Sequence, residues 1–565
     1  MLSCYVSRFR GLLAGTVAAV CLALGGQGLD AQLLPEFRTV ALSGDQAPDA
    51  DNGTVLDSFS APSINAVGQA VFNSFLDGVG VSSNNDSGVF RDSLGTLEQV
   101  ARESDQVPGA ASGVVFSGFG FNVPAINSSG QTAFSAFLDG TGVNGTNDRG
   151  IYYSEAPGTL TEVARTGGQA PGASNGVVFS DFGNPLLNNF GQTAFLADLE
   201  GTGVNGTNDS GIYSGGSGSL AQVARTGDQA PNASNGVVFN SFNEPVLSAS
   251  GQTAFRASLV GTGVSEINSE GIYRAGSGTL TQVARTGGQA PDASGGVVFD
   301  SFRDPVINFS GQTVFRAELS GTGVDSTNNE GVYTTLSGTL VQVARTGDQA
   351  PGASGDVAFG GFSFSRDPLV NNAGQIAFEG FLVGDDVSTA NNSALYVTDE
   401  DGQLGQVVRT GDQAPGTDSG IVFDSFSEVA LNNSGQLAFR ANLDGMNVDE
   451  QNNDNDTAIF ATGLDGELVL IAREGDLFDV NDDPLVEDLR RISFVTFADE
   501  TGNGDGRASA FNDSGQLAFR LNFTDRTSGT FISNRVATSP VPEPGSLVVL
   551  LSVAGLGALR RRRRS

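Results

Sequence analysis

The sequence predicts an all-β protein, an eight-bladed β-propeller made of four-stranded repeats of about 60 residues, and three observations lead there. One segment recurs eight times between Val40 and Phe531 at a nearly fixed spacing. Each copy holds four short runs of strand type and no helical period. The two ends of the array complete one another, so the last sheet can borrow its missing strand from the start of the chain.

The period is read from the turn glycines Gly68, Gly130, Gly191, Gly251, Gly311, Gly374, Gly435 and Gly515, which lie 60 to 63 residues apart except for a final step of 80. The extra length sits between Glu474 and Ser509. In the best-formed copy, Val283 to Leu340 and its continuation, the runs are Val297–Ile307, Gln312–Leu319, Gly331–Thr335 and Leu340–Arg345. All are rich in Val, Ile, Phe, Tyr and Thr and bounded by Gly, Asn, Asp, Ser or Pro. Asn308-Phe-Ser-Gly311 joins the first two, with Asn and Gly at the ends that a type I turn prefers, and only Ser248 departs from Asn in the equivalent place. In Thr313–Leu319 apolar residues occupy both parities, the mark of a small sheet covered on both faces.

The array opens with Phe37–Leu42, which aligns with a fourth strand, and closes with Gly529–Ser533, which aligns with a third. If the leading strand completes the last sheet, the ring closes and no edge is left to pair with another chain. The alternative, a β-solenoid, would need capping units, and the sequence offers none. The ring therefore spans 37–535.

Residues 1–31 read as a cleaved secretory signal: Arg8 and Arg10 precede the apolar run Leu12–Leu24, which is short of the roughly 20 residues of a membrane span. Both cysteines, Cys4 and Cys21, lie within it, so the ring has no disulfide, thiolate or thiolate metal site. Histidine and tryptophan are absent and all 29 basic residues are arginine, which removes the usual general base and the Schiff-base amine. Without the leader and the terminal arginines, 22 Arg face 62 acids, a net charge of −40. Such a body repels phosphate backbones, which excludes nucleic acid as a partner.

Beyond the ring come a proline-rich linker (536–546), an apolar segment (547–559) and the arginine cluster 560–564. Val541-Pro542-Glu543-Pro544, followed by that segment and by Arg560, Arg561, Arg562, Arg563 and Arg564, resembles the PEP-CTERM sorting signal of Gram-negative bacteria. The resemblance implies an exosortase-type processing enzyme as partner, transient inner-membrane association through the tail, and delivery to the cell surface or exopolysaccharide matrix. The repeats resemble the tandem-repeat proteins named for their NxxGxxAF motif, matched in full at Asn127–Phe134, Asn188–Phe195, Asn371–Phe378, Asn432–Phe439 and Asn512–Phe519. That resemblance implies architecture and varied C-terminal anchors, and no activity.

In a propeller the loops after the second and the fourth strand share one face, which would collect most of the Asp, Asn and Gly. Asp209, Asp228 and their equivalents could offer oxygens to Ca²⁺, the one cofactor the sequence leaves open. Tight turns need the same residues for their own geometry, and no copy ends in the Glu of a calcium loop. Asp499, Asn503 and Asp505 have the alternating spacing, but Ala510 stands at the twelfth place. The recurring arginine (Arg165, Arg225, Arg285, Arg345, Arg409, Arg473) precedes an aspartate by three residues in several copies, which suggests an ion pair tying blade to connector. Phe299, Phe302, Phe315 and Tyr333 read as core between blades. No catalytic residue stands out. The expected function is a non-enzymatic binding or structural module at the surface or in the matrix, with a carboxylate-dependent hydrolase of matrix polysaccharide as the alternative.

Overall fold

The computed structural model describes residues 36–537 apart from 121–122, 157–158, 217, 277, 337, 354, 449–454, 484 and 499–504. The leader, the linker beyond 537, the apolar segment and the sorting residues Pro542, Glu543, Pro544 and Arg560–Arg564 lie outside the described residues. What is described forms eight small antiparallel sheets in a ring, an eight-bladed β-propeller. The only helical turn among the described residues is Glu266–Asn268.

Blade 5 shows the unit. Val297–Phe302 and Val306–Ile307 both pair with Thr313–Gly321, which pairs with Glu330–Leu336, which pairs with Thr339–Arg345. The first run, expected to be continuous from Val297 to Ile307, is therefore broken at Arg303-Asp304-Pro305. Pro305 has no N–H for the ladder, and a bulge after Phe299 already bends the strand. Blade 7 supports that cause: it has Val429 where blades 1 to 6 have proline, and its first strand runs unbroken as Val422–Leu431.

The short second pieces (Ser63–Ile64, Ala125–Ile126, Leu186–Leu187, Val246–Leu247, Val306–Ile307, Leu369–Val370) touch one another in succession and line the axis. Phe37–Leu42 closes the circle by pairing with Ser528–Ser533, Phe37 opposite Ser533 and Leu42 opposite Gly529. The leading strand thus completes blade 8, as the array ends implied.

The core lies between blades. Ile272 and Ala284 of blade 4 pack on Val297, Phe299, Phe302, Phe315 and Tyr333 of blade 5, all buried. Phe299 meets Tyr333 edge-on at 5.0 Å and Phe302 meets Phe315 at 5.5 Å, geometries that favour aromatic quadrupoles, and blades 3, 4, 6 and 7 repeat the pattern.

The turn asparagine does more than shape its hairpin. Asn432 Oδ1 accepts the Ser434 and Gln436 N–H groups at 3.0 and 2.9 Å, while Nδ2 donates to Gln436 Oε1 and to the carbonyl of Asn512 in the next blade, both at 2.9 Å. Asn65 reaches Asn127, Asn127 reaches Asn188, Asn188 reaches Ser248, Asn308 reaches Asn371, Asn371 reaches Asn432, and Asn512 returns to Asn65. The result is a belt of amide bonds around the axis. Its one missing link starts at Ser248, whose hydroxyl bonds Ser250 and Gln252 of its own turn instead. The turn glycine follows from the same belt: at Gly130, φ is +76° and a Cβ would sit 2.7 Å from Gln69 Oε1 of the preceding blade.

Candidate functional site

Two regions gather polar chemistry: the face formed by the loops after second and fourth strands, and the axis of the ring. On the face, each loop is held by its neighbour. Arg225 Nε donates to the Asn208 carbonyl at 2.8 Å, and Arg165, Arg285, Arg345, Arg409 and Arg473 make the same bond to Asn147, Asn268, Asn328, Asn391 and Asn455. This corrects the expected Arg–Asp pairing: no ion pair joins these arginines to the following aspartates among the described residues. The aspartates turn to other donors, Asp412 to the Arg409 N–H and Asp348 to Gln342 Nε2. A guanidinium three residues before a turn points out along its strand toward the adjacent loop, where a bare carbonyl awaits it.

The connector carries a second staple that sequence reasoning missed. In Gly-x-Gln-Ala-Pro, Gln289 Nε2 donates to the Ala290 and Ser294 carbonyls and Oε1 accepts the Gly296 N–H at 3.1 Å. Gln46, Gln106, Gln169, Gln229 and Gln413 do the same. The conspicuous Gln is thus structural, and it leaves the Asx-rich tips free to face solvent. Asp228 accepts from Gln222 Nε2, and burial raises its carboxyl above the usual range.

The axis is where the long insertion goes. Asp505, Gly506 and Ser509 enter it and accept backbone bonds from Leu247, Leu187 and Ile64, at 2.8, 2.9 and 2.6 Å, so the blade 8 insertion is stitched to blades 4, 3 and 1. A cavity of about 90 Å³ remains at the mouth, walled by Asn65, Asn127, Asn188, Asn512 and Arg507. Asp505 is buried, and its Oδ1 accepts the Arg507 N–H at 3.2 Å. Asp499 and Asn503, the other two residues of the proposed calcium spacing, lie outside the described residues. Among the described residues, no group of three or more acidic side chains is arranged to hold a metal ion.

Below the mouth, the strand breaks point carboxylates at the axis. Glu244 precedes Pro245, Asp304 precedes Pro305 and Asp367 precedes Pro368. Glu244 stays exposed at its surface, yet the protein packed around it, and after that the charge of Asp304, push its carboxyl up to about 7, with Arg507 opposing. Asp367 is raised for the same first reason, and Arg507 again opposes. Arg256 spans blades 4 and 5 by meeting Asp304 at 2.8 Å. Sequence reasoning passed over these acids because each sits alone in its repeat; the signal was Asp or Glu immediately before the strand-breaking proline in blades 4, 5 and 6.

Residues 35–215, 206–348 and 328–548 match the model of a family of unknown function (DUF7453). No curated protein matches the sequence. Among solved structures the chain is similar to a prolyl endopeptidase (11% identity, TM-score 0.39, 83% of this chain and 55% of that one). It is similar too to prolyl oligopeptidase B from Galerina marginata (10%, 0.37, 84% and 56%) and to the β-propeller domain of the Trilobed protease from Pyrococcus furiosus (9%, 0.34, 74% and 99%). The chain thus spans little more than half the length of the first two, and at these scores the likeness bears on no activity.

Proposed function

The chain belongs to DUF7453, a family of unknown function, and from its own geometry we propose a non-enzymatic binding module displayed at the bacterial surface or in the extracellular matrix. The observation that carries this reading is the segregation of loops. The Asx-rich loops of successive blades lie together on one face, held by the arginine and glutamine staples, while Phe37 and Ala537, where the described chain is entered and left, lie by the NxxG turns of the other. A module tethered by its tail would then present the polar face outward. The PEP-CTERM-like tail supports export, exosortase processing and surface or matrix delivery. The charge of the face favours neutral or amino-sugar glycans over anionic ones.

A second reading draws on Glu244: a carboxyl that titrates near 7 beside Asp304 is suited to donate a proton, as glycoside hydrolysis requires. A glycan array combined with a reducing-sugar assay on the full chain tests both. Retention without release of reducing ends is expected. Release that Glu244→Gln abolishes would replace the first reading by the second, and retention on no neutral or amino-sugar glycan would overturn the first.

A further inference from the structure

At each junction of two blades the turn glycine of one lies beside the third strand of the blade before it, and in four junctions a single side chain closes the gap. Arg91 donates to the Gly130 carbonyl at 2.6 Å, Arg274 to that of Gly311, and Arg38 to that of Gly68 at 2.9 Å, while the Tyr153 hydroxyl lies 2.6 Å from the place a Cβ on Gly191 would take. Arg91, Tyr153 and Arg274 hold one position of the third strand, opposite Val71, Ala133 and Ala254.

In blade 3 that position is Ser214, opposite Ala194. Its hydroxymethyl group is too short to close the gap, and Gly215 and Gly216 follow where blade 5 has Thr335 and Leu336. A groove of about 350 Å³ remains between blades 3 and 4, with Gln192, Ser214 and Val223 on one wall and Thr253, Ala275 and Leu280 on the other, and no charged side chain lines it. Thr253 is 1% exposed, and its Oγ1 has no hydrogen-bond partner. Gln192 Oε1 accepts from Asn188 at 2.8 Å, and among the described residues nothing accepts from its Nε2.

Blade 7 has an equally short residue at that position, Ala461 opposite Ala438, and there the chain's own end shows what such a groove takes. After the last strand, residues 535–537 turn into the junction of blades 7 and 8. Gln436, the counterpart of Gln192, donates from Nε2 to the Val536 carbonyl at 3.1 Å. That carbonyl oxygen lies 2.4 Å from the place of a Cβ on Gly515, the counterpart of Gly251, and the Val536 side chain is buried in one cluster with Ala461, Leu517 and Phe37. By register, Leu517 and Phe37 correspond to Thr253 and Leu280. The two grooves share a plan, and a hydroxyl replaces part of the apolar lining in the one between blades 3 and 4.

An extended, uncharged peptide with hydroxyl side chains for Thr253 fits that lining. The residues next after Ala537, Thr538-Ser-Pro-Val541, have this character, and they leave the ring beside Gly515 on the NxxG face. Their own ring's groove is out of reach: junctions 7/8 and 3/4 are half a turn apart, about 25 Å across eight sheets packed about 10 Å from one another, whereas four residues span at most ~14 Å.

We propose that the groove between blades 3 and 4 seats residues 538–541 of a second copy of the chain, a carbonyl of that segment accepting from Gln192 Nε2 as Val536 does from Gln436. Tail and groove lie on opposite sides of the ring, so the contact is heterologous and links copies head to tail in an open row. Such rows leave the polar face of every copy free.

Sedimentation velocity of the full chain reads the association, in a non-ionic detergent and with salt enough to screen the repulsion between acidic bodies. The parent is expected to form larger species as its concentration rises. Ser214→Arg places in blade 3 the side chain that closes the junction after blade 4; it is expected to keep the parent's Tm or exceed it and to weaken association about tenfold or more. Ser539→Asp lies outside the ring, and by bringing a charge into an uncharged groove it is expected to do the same. A parent that stays monomeric would overturn the proposal, as would association that either variant leaves at the parent's strength. Because the chain contains no tryptophan, Thr279→Trp at the rim gives a direct readout. Its emission should shift when the peptide Ala-Thr-Ser-Pro-Val is added, and should stay unmoved when Ser214→Arg is present as well; an emission indifferent to the peptide without Ser214→Arg would also overturn the proposal.

Discussion

Replacing Asn432 by alanine measures what the amide belt contributes. Its side chain is fully buried and makes four hydrogen bonds, two within its turn and two through Nδ2, one of which crosses to blade 8. At roughly 0.5–1.5 kcal/mol net for each, Asn432→Ala costs about 2–6 kcal/mol. Unfolding about 500 residues releases on the order of 1 kcal/mol per kelvin, so calorimetry on the full chain should show Tm lowered by about 2–6 °C. Asn432→Ser separates the turn from the belt, because a hydroxyl keeps an acceptor for the turn, as Ser248 does toward the Gln252 N–H at 2.9 Å, and loses the amide donors. About half the loss is expected. The converse change, Ser248→Asn, restores the missing donor toward the Asn308 carbonyl and should raise Tm by about 1 °C. An alanine variant as stable as the parent, or a serine variant as damaged as the alanine one, would refute the belt as a stabilising element.

Three further expectations follow from single groups. The Tyr333 hydroxyl is buried without a hydrogen-bond partner, its pKa raised to about 12 by burial, and Phe90, Phe460 and Phe531 fill the same place elsewhere; Tyr333→Phe should leave Tm unchanged or raise it by about 1 °C, and a clear fall would reveal a partner for the hydroxyl. The buried Glu474 carboxyl rises from 4.5 to about 7 through burial and repulsion by Asp456, so the fold binds this proton more tightly than the unfolded chain does. Its contribution is complete below pH 4.5 and lost as pH rises through about 7; Glu474→Gln should hold its Tm across that window while the parent's declines, and parallel Tm curves would count against the shift. Deleting Phe37–Leu42 uncovers the edge Ser528–Ser533, and the truncated chain is expected to aggregate or melt non-cooperatively, whereas an unchanged, monomeric melt would mean that the leading strand is not needed to seal the ring.

How much of this the sequence made legible follows from the range of each interaction. The turn at Asn308–Gly311 is a local matter of four residues and was read correctly, and so was the closure by Phe37–Leu42, because complementary array ends are visible in one dimension. The belt was not, since the acceptor for Asn308 Nδ2 is the carbonyl of Asn371, 63 residues away, and the direction of a side-chain amide is invisible in the sequence. The strand break at Pro305 was legible in principle: a proline inside a predicted inner strand argues against an unbroken ladder. The arginine of the fourth strand was assigned to the nearest opposite charge in sequence, yet a carbonyl 17 residues earlier, at Asn328, lies on the path its side chain takes. Glu244, Asp304 and Asp367 read as unrelated loop residues because only the closing of the ring aims them at one axis.

The irregular step of the repeat now has a physical meaning. A ring of eight similar blades leaves an axial hole lined by the inner strands, whose outer edges keep unpaired N–H groups at Leu187, Leu247 and Ile64. Backbone donors left bare in such a place are costly, and the carbonyls of Gly506, Asp505 and Ser509 satisfy these three. Only one blade can supply the segment, which is why a single interval is long and the rest are uniform. The inserted residues also carry Arg507 into electrostatic reach of Glu244 and Asp367, where it opposes the rise in both carboxyl pKa values. The same excursion that departs from the repeat therefore fills the axis and supplies a cation to its acidic wall, and shortening it should disturb both together.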